Sequence, residues 1–179
     1  MKLVYIILFS LIPFRFILAQ ETTEKFFNID NLVFEIGTIY QLEYIYFNYN
    51  SASLMIESKD SLKNVIKFLK ENKDLHIEVR SHTDCNHYLS RSSHLTQKRA
   101  QSITNFFIEN GVPKERLTAK GYEISVPYVI KKTDCEKYKF LTLGLVLSCE
   151  NINKLESKEE IEIAHMLNRR TKIKIIKHI

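Results

Sequence analysis

The stretch LHIEVRSHTDCNHYLSRSSHLTQKRAQSITNFFIENG, residues 75–111, predicts a strand, a polar loop and a helix in direct succession. Residues 75–81 alternate strictly between apolar and polar side chains, which is the pattern of a strand that buries one face. Apolar residues then recur at helical spacing over 95–110, and Gly111 follows at the position where helices often end. A strand followed closely by an amphipathic helix indicates a domain in which helices cover a sheet.

The segments on either side extend this unit. Residues 36–47 are rich in Ile, Tyr and Phe and predict a first strand, and residues 56–72 have the apolar spacing of a helix. Further strands are predicted at 117–121 and at 171–179. The predicted fold is therefore of the α/β (α+β) class, a βαβαβ sandwich with a mixed sheet and helices packed on one face. We assign the aromatic residues of the first strand to the core and the sheet rather than to a sugar-binding platform.

A long insertion, at about 124–167, separates the last two predicted strands. Its second half, SKEEIEIAHMLN, predicts a helix that begins near Ser157, because Glu160 completes a capping-box pattern with that serine. With the insertion included, the domain is predicted to span 36–179.

The N-terminal segment has the pattern of an export signal. Lys2 precedes an apolar run over 3–14 that is too short to span a bilayer comfortably, and Ala19 fits a cleavage site. We therefore predict a signal peptide at 1–19, followed by a short N-terminal extension at 20–35. No cysteine lies near the expected cleavage site, so an N-terminal lipid anchor is not expected.

The composition favours a globular domain. Hydrophobic residues make up 45% of the chain and charged residues 26%, and four glycines with three prolines leave little room for flexible linkers. The formal net charge is +5. Because no stripe of Lys and Arg is interleaved with stacking aromatic residues, nucleic acid is not an expected partner.

Three cysteines, Cys85, Cys135 and Cys149, allow one disulfide in an exported chain. We prefer the pair Cys135–Cys149, because both cysteines lie in the same segment. A bond from Cys85 to either of the other two, and free buried thiols, are the alternatives that the sequence leaves open.

The polar loop contains residue types that also occur in metal sites and hydrolases. His82, Cys85, His87 and His94 do not have the spacing of a structural zinc site. The run SHTD at 81–84 has the residue types of a catalytic triad, but there is no glycine pattern of a nucleophile elbow and no second acid at a fixed spacing. Neither a metal site nor hydrolase chemistry is therefore expected from this loop.

Asp84 and Arg99 are the charged residues that most need explanation. Asp84 follows the end of a predicted strand, where loops often carry function. Arg99 is predicted near the start of a helix, where a positive charge meets the positive end of the helix dipole. Two readings are open: a structural ion pair, or a split clamp in which the acid holds an ammonium group and the arginine a carboxylate.

Four blocks of the sequence carry a resemblance to a known family. They are IYFNYNSASL, HIEVRSHTD, LTQKRAQSITNFFIENGVPKERLTAKGYE and NRRTKI. In this order they resemble the OmpA-like peptidoglycan-binding domain, over residues 43–126 and 166–176. The insertion before the NRR block is similar to that of a Bacteroidetes-type variant of this domain.

The resemblance implies a protein without enzymatic activity or cofactor. It would bind the diaminopimelate residue of the peptidoglycan stem peptide non-covalently. Asp84 matches the family's loop aspartate and would hold the ammonium group of the ligand. Arg99 matches the helix arginine and would hold the carboxylate. Arg169, the first arginine of the NRR block, would support the same pocket, and Thr83 and Asn50 match positions that line it.

The sequence departs from the family pattern at three positions. Asn48 stands where an aspartate is usual, Ser81 replaces a glycine before the HTD triplet, and Ser92 replaces an asparagine. The changes at Asn48 and Ser92 are expected to weaken the ordering of the loops and the affinity for the ligand.

The function implied by the resemblance is to anchor an envelope or outer-membrane complex to the cell wall from the periplasm. Its expected partners are peptidoglycan and other envelope proteins. The alternative is a scaffold component of an envelope or secretion complex that acts mainly through the insertion. A third, less favoured hypothesis is a metal-assisted wall hydrolase.

Overall fold

A computed structural model describes residues 24–28, 35–85 and 89–178, with the backbone alone described at 24–26 and 89–93. The strands are β1 (Glu24–Phe26), β2 (Ile39–Leu42), β3 (Leu75–His82), β4 (Leu117–Glu123) and β5 (Thr171–His178). The helices are α1 (Ile56–Glu71), α2 (Leu89–Glu109), α3 (Lys132–Lys137), α4 (Cys149–Ile152) and α5 (Lys158–Asn168). The predicted signal peptide at 1–19 lies outside the described residues.

The described strands form one mixed sheet in the order β1-β2-β5-β3-β4. β3 and β4 are parallel and are connected through α2, whereas β5 is antiparallel to both of its neighbours, β2 and β3. β5 therefore lies in the middle of the sheet although it is last in the sequence. β1, which the sequence did not predict, belongs to the N-terminal extension and pairs in parallel with β2 at the sheet edge.

Alternate residues of the sheet and the apolar stripes of α1 and α2 form the main core. Ile77 and Val79 of β3 are fully buried beside Ile173 and Ile175 of β5. The helices contribute Leu62, Val65, Leu69, Ala100, Ile103 and Phe107. This arrangement confirms the predicted α/β (α+β) sandwich with helices packed against a mixed sheet.

α2 lies close against β4, and Gly121 makes that approach possible. A Cβ atom at this position would lie 2.4 Å from the backbone nitrogen of Gln97 and 2.5 Å from Oγ1 of Thr96. The side chain of Gln97 also binds the strand, since Nε2 donates to the Ala119 carbonyl at 3.0 Å and Oε1 accepts from the Gly121 amide at 2.8 Å. The contact sets the position of α2 on the sheet, and with it the position of Arg99.

The first predicted strand, 36–47, is longer than the strand that forms. β2 ends at Leu42, and Tyr44 follows with a φ of 58°, a left-handed conformation that does not continue a strand. Tyr44 and Tyr46 are exposed. The assignment of these aromatic residues to the core is therefore right for Tyr40 and wrong for Tyr44 and Tyr46.

The second predicted helix begins earlier than expected. α2 starts at Leu89 rather than near Leu95, so Arg99 lies in the middle of a 21-residue helix and not in its first turn. The unfavourable interaction with the helix dipole that we expected at Arg99 therefore does not apply, because the dipole acts within the terminal turns.

The insertion builds a second hydrophobic cluster beside the main core. Its buried members are Tyr128, Ile130, Leu141, Leu147, Ile152 and Ala164. Two segments of the insertion run side by side, because the Ile130 amide donates to the Leu145 carbonyl at 2.9 Å and the Leu147 amide to the Tyr128 carbonyl at 2.8 Å. We call this group the insertion cluster.

The predicted disulfide between Cys135 and Cys149 is wrong. Cys149, the first residue of α4, is bonded to Cys85 in the loop after β3, and Cys135 is a free, half-buried thiol. The pairing depends on the insertion folding back onto the end of β3. Closeness in the sequence was therefore a poor guide, and one of the alternative pairings is the one that forms.

The start of α5 agrees with its predicted capping box. Oγ of Ser157 accepts from the Glu160 amide at 3.1 Å, and the Glu160 carboxylate accepts from the Ser157 amide at 3.2 Å. Within the described ranges, no helix is long and apolar enough to cross a membrane.

Candidate functional site

Asp84 and Arg169 are in direct contact at the end of the sheet. Asp84 lies two residues after β3 and is 1% exposed. Arg169, the residue that follows α5, donates from Nη1 to Oδ2 of Asp84 and from Nη2 to Oε1 of Glu162 at 2.5 Å. Burial works against the charge of Arg169, but the hydrogen bonds with Glu162 and Asp84 together raise its pKa. The arginine therefore bridges a buried carboxylate and an exposed one.

Arg99 reaches from the middle of α2 to the turn that follows β2. Its Nε donates to the Ser51 carbonyl at 3.0 Å, and its guanidinium lies 4.9 Å from the ring centroid of Phe47. Burial lowers the pKa of Arg99, while the charge of Asp84 opposes this shift and that of Arg169 adds to it. The three charged residues predicted for the site are thus within electrostatic reach of one another.

An open cavity of about 340 Å³ lies between these elements, and both Arg99 and Arg169 line it. The other lining residues are Ile45, Tyr46, Phe47, Met55, Ser81, His82, Met166, Arg170 and Thr171. Guanidinium groups and apolar side chains therefore share one cavity. Such a lining suits a ligand in which an anionic group is attached to an aliphatic one.

Thr83 and Asn50 lie next to residues that act at the site. Thr83 is buried; its amide donates to the Glu123 carbonyl at 3.2 Å, and its hydroxyl has no hydrogen-bond partner in the part of the chain that the structure describes. Asn50 is exposed, has a φ of 48°, and precedes Ser51, whose carbonyl binds Arg99. The contact of Thr83 and Asn50 with a ligand stays a prediction.

Two of the three departures from the family pattern can be placed. Asn48 is exposed. Its amide donates to the Ser53 carbonyl at 3.0 Å, and its carbonyl accepts from the Ser51 amide at 3.1 Å, so the turn is closed by backbone hydrogen bonds although the usual aspartate is absent. Ser81 is buried and lines the cavity. The side chain of Ser92 lies outside the described residues.

His82 is a buried and neutral neighbour of the site. Its ring stacks on that of Tyr122, with centroids 5.2 Å apart. Burial, and then the positive charges of Arg170, Lys172 and Arg80, lower its pKa to about 2. His82 therefore adds no positive charge to the cavity at neutral pH.

Sequence reasoning missed Glu162, Ser51 and Phe47. Glu162 precedes Arg169 by seven residues, about two turns of a helix, so the predicted helix could have placed both on one face. Ser51 acts through its backbone carbonyl and Phe47 through the face of its ring. Neither role can be predicted from the type of residue at that position.

The histidines and cysteine of the polar loop do not form a metal site in the residues described. Across 24–28, 35–85 and 89–178, no group of three or more His, Cys, Asp or Glu side chains could hold a metal ion. Cys85 is engaged in the disulfide, and His87 lies outside the described residues.

Among curated proteins, the chain is similar to outer membrane protein A of Citrobacter freundii. The two are 29% identical over 97 residues, which cover 53% of this chain and 40% of the relative. A second relative is photosystem I P700 chlorophyll a apoprotein A2 of Gloeobacter violaceus, 29% identical over 85 residues, which cover 48% of this chain and 10% of that protein. The chain therefore spans less than half the length of these relatives.

Among solved structures, the chain is similar to the cell wall anchor of the T6SS from Pseudomonas aeruginosa. The TM-score is 0.52 at 19% identity, with 78% of this chain and 80% of that chain covered. The periplasmic domain of Helicobacter pylori MotB gives a TM-score of 0.51 at 20% identity, with 80% and 78% covered. At these identities the likeness concerns the fold.

The family comparison agrees with the motifs and with the fold. The OmpA family model matches residues 46–139, just over half of the chain. The matched range contains the turn after β2, the loop after β3 and α2, which together carry Asn50, Asp84 and Arg99. The chain belongs to the OmpA family.

Proposed function

We propose that this protein binds peptidoglycan non-covalently, through the diaminopimelate of the stem peptide, and anchors an envelope complex to the cell wall. The observation that carries the proposal is that Arg99 and Arg169 line one open cavity, and that Arg169 is paired there with the buried Asp84. Diaminopimelate has an ammonium group and a carboxylate on one carbon, so its recognition needs an acid and a base that are spaced apart.

Arg99 is the residue best suited to the ligand carboxylate. Its Nε is engaged by Ser51 and the face of its guanidinium by Phe47, which together hold the group in one orientation. A guanidinium fixed in this way presents its Nη edge to a carboxylate and can bind both carboxylate oxygens.

Asp84 is the residue best suited to the ligand ammonium. Because it is buried beneath Arg169, the ammonium must replace Arg169 on the carboxylate. Glu162 retains the displaced guanidinium, since it already binds the other Nη nitrogen. The buried hydroxyl of Thr83 and the exposed Asn50 are the predicted positions for further polar contacts.

Membership of the OmpA family and the shared fold support this proposal and a periplasmic location beside the wall. One protein with this fold is described as the cell wall anchor of the T6SS, and another is a periplasmic domain of MotB. By the same argument the domain acts by binding and not by catalysis, with other envelope proteins as its further partners.

Calorimetry with a diaminopimelate-containing muropeptide tests the proposal. We expect saturable binding by the purified, oxidised protein, and Arg99→Ala should weaken it by at least about tenfold, because a charge-assisted bidentate contact is lost. Lys98→Ala is the matched control, since it removes one exposed positive charge from the neighbouring position of the same helix. Absence of binding by the unmutated protein, or equal affinities for the two variants, would overturn the proposal.

A second candidate function is a scaffold that acts through the insertion, and exposed apolar residues favour it. Val129 and Val146 form a bridge between two insertion segments and are 48% and 40% exposed, and Leu143 is 65% exposed. Adjacent exposed apolar residues, such as this bridged valine pair, can form part of a contact surface.

A double variant, Val129→Ser with Val146→Ser, separates the two functions. If the scaffold reading is right, cross-linking in the cell to envelope partners is lost while muropeptide binding is retained. Unchanged cross-linking in the double variant argues against the scaffold.

A further inference from the structure

We propose that the insertion holds the binding site in place, and that the Cys85–Cys149 disulfide positions Asp84. This inference rests on the proposed role of Asp84 in ligand binding. It gives the insertion a role within the domain itself, separate from any contact with other proteins.

The disulfide lies at the point where the loop leaves the sheet. The amides of residues 82–83 still donate to neighbouring backbone carbonyls, at 3.0 and 3.2 Å. Asp84 follows, and Cys85 is then covalently bonded to Cys149. Asp84 is therefore held between the sheet on one side and a covalent link to the insertion on the other.

The far end of the disulfide lies on an ordered element. Cys149 is the first residue of α4, and Oγ of Ser148 accepts from the Asn151 amide at 3.2 Å. Asn151 in turn donates from Nδ2 to the Val146 carbonyl at 2.9 Å, and Ile152 is fully buried in the insertion cluster. Movement of Cys85 is thus resisted by the packing of the insertion cluster.

The same insertion also holds Arg169, through the residue that precedes it. The buried Asn168 accepts at Oδ1 from the Tyr128 amide at 2.8 Å and donates from Nδ2 to the Leu147 carbonyl at 2.8 Å. Both partners of the Asp84–Arg169 ion pair are therefore positioned by the insertion cluster, one through a disulfide and one through a buried amide.

Arg99 is positioned independently of the insertion. It projects from α2, which packs on the main core, and it binds the Ser51 carbonyl. Loss of the disulfide should therefore disorder the acid of the site and leave the base in place. Because a preorganised site binds more tightly than one that must be ordered, affinity should fall without loss of the sheet.

Cys149→Ser tests the positioning role, with Cys135→Ser as the matched control. Cys135 packs against the same cluster but carries a free thiol. We expect Cys149→Ser to weaken muropeptide binding by about tenfold and Cys135→Ser to leave it unchanged. If Cys149→Ser does not fold, reduction of the folded unmutated protein with dithiothreitol should give the same loss, and reoxidation should restore affinity.

A double-mutant cycle separates positioning of Asp84 from a general structural role. In an Asp84→Asn background, Cys149→Ser should weaken binding to sacculi far less than it does in the unmutated protein, because the two changes remove the same interaction. Equal losses in both backgrounds would mean that the disulfide does not act through Asp84, and would overturn the inference.

Amide hydrogen exchange tests the inference without a ligand. We expect exchange at Thr83 and Asp84 to be faster in Cys149→Ser by about tenfold or more, while Val79 in the middle of β3 is unchanged. Unchanged exchange at Thr83 and Asp84 would overturn the inference. If the unmutated protein does not bind muropeptide, the proposed function fails, and the exchange data still decide whether the insertion orders the site.

Discussion

The two hydrophobic clusters of this protein are built in different ways. The main core consists of alternating strand residues and of helix residues at helical spacing, such as Ile77 and Leu62. The insertion cluster is held by short helices, one disulfide, and side chains that bind the backbone, such as Asn168 and Asp134. The first cluster places the strands and α2, whereas the second contacts the ends of β3 and α5.

This difference indicates that the fold and the site depend on separate parts of the molecule. A substitution in the main core should destabilise the whole sheet. A substitution in the insertion cluster should first loosen the local structure around Asp84 and Arg169, because regions with fewer buried contacts can open without global unfolding. Matched substitutions in the two regions can test this division.

The largest effect is expected from Ile77→Ala, compared with Ile152→Ala. Both side chains are fully buried, one in each cluster. Ile77→Ala should lower the free energy of unfolding by about 2–5 kcal/mol, because it leaves a cavity in the main core. Ile152→Ala should lower the free energy of unfolding less, and should instead speed amide exchange within the insertion. Urea unfolding followed by circular dichroism measures the free energies. Equal losses for the two variants would show that the clusters unfold as one unit.

Arg99 and Arg116 allow a second matched comparison. Burial lowers the pKa of both arginines, but they contact different parts of the molecule. Arg116 donates from Nε to the Leu75 carbonyl at 2.8 Å, and from Nη2 to the carbonyls of Leu69 at 2.9 Å and Asn72 at 2.6 Å. It thus ties the C-terminal end of α1 to the start of β3. Arg99 lines the cavity instead, so the two arginines should affect different properties.

We expect Arg116→Met to lower the free energy of unfolding by about 2–3 kcal/mol, because buried carbonyls lose their donor. Muropeptide affinity, measured well below the melting temperature, should not change. Arg99→Met should show the reverse, with a large loss of affinity and little loss of stability. A loss of affinity in Arg116→Met that matches the Arg99 variant would contradict the assignment of Arg116 to the fold alone.

His82 makes stability depend on pH. Its pKa is about 2 in the folded protein, whereas an unfolded histidine titrates near 6.5. Below about pH 6.5 the unfolded chain binds a proton that the folded chain does not, so the free energy of unfolding falls as the pH is lowered. His82→Phe, which keeps the stacking on Tyr122, should reduce the loss of stability between about pH 7.5 and 5 by about 1–2 kcal/mol. An identical pH dependence in the variant, measured by urea unfolding, would argue against a buried neutral histidine.

Periodicity in the sequence predicted the main core because strand and helix periods are local. The alternation around Ile77 and the spacing of Leu62 and Leu69 follow directly from which face is buried. The start of α2 could not be predicted in this way, since its first turns, LSRSSH, have no apolar period to mark them. The end of β2 was missed because the left-handed conformation of Tyr44 is unusual for a tyrosine.

The site was only partly predictable from the sequence. The motifs identified Asp84, Arg99 and Arg169, and the structure brings these residues together. The Cys85–Cys149 bond was not predicted as the preferred pair, because its two cysteines are 64 residues apart and meet only when the insertion has folded. The roles of Ser51 and Phe47 depend on a backbone carbonyl and a ring face, which no residue-type rule reports.

The smallest effect is expected at Glu162, the second carboxylate on Arg169. Its side chain is 62% exposed, compared with 1% for Asp84. Exposed ion pairs contribute little and are screened by salt, so Glu162→Gln should change muropeptide affinity by less than about threefold, and by less again at about 1 M salt. Asp84→Asn should cost at least about tenfold, because the ligand ammonium loses a buried acceptor that carries a negative charge. Calorimetry of the two variants at low and high salt measures this contrast. Equal losses would mean that Arg169 needs both carboxylates to stay in place, and that α5 orders the site as strongly as the loop after β3.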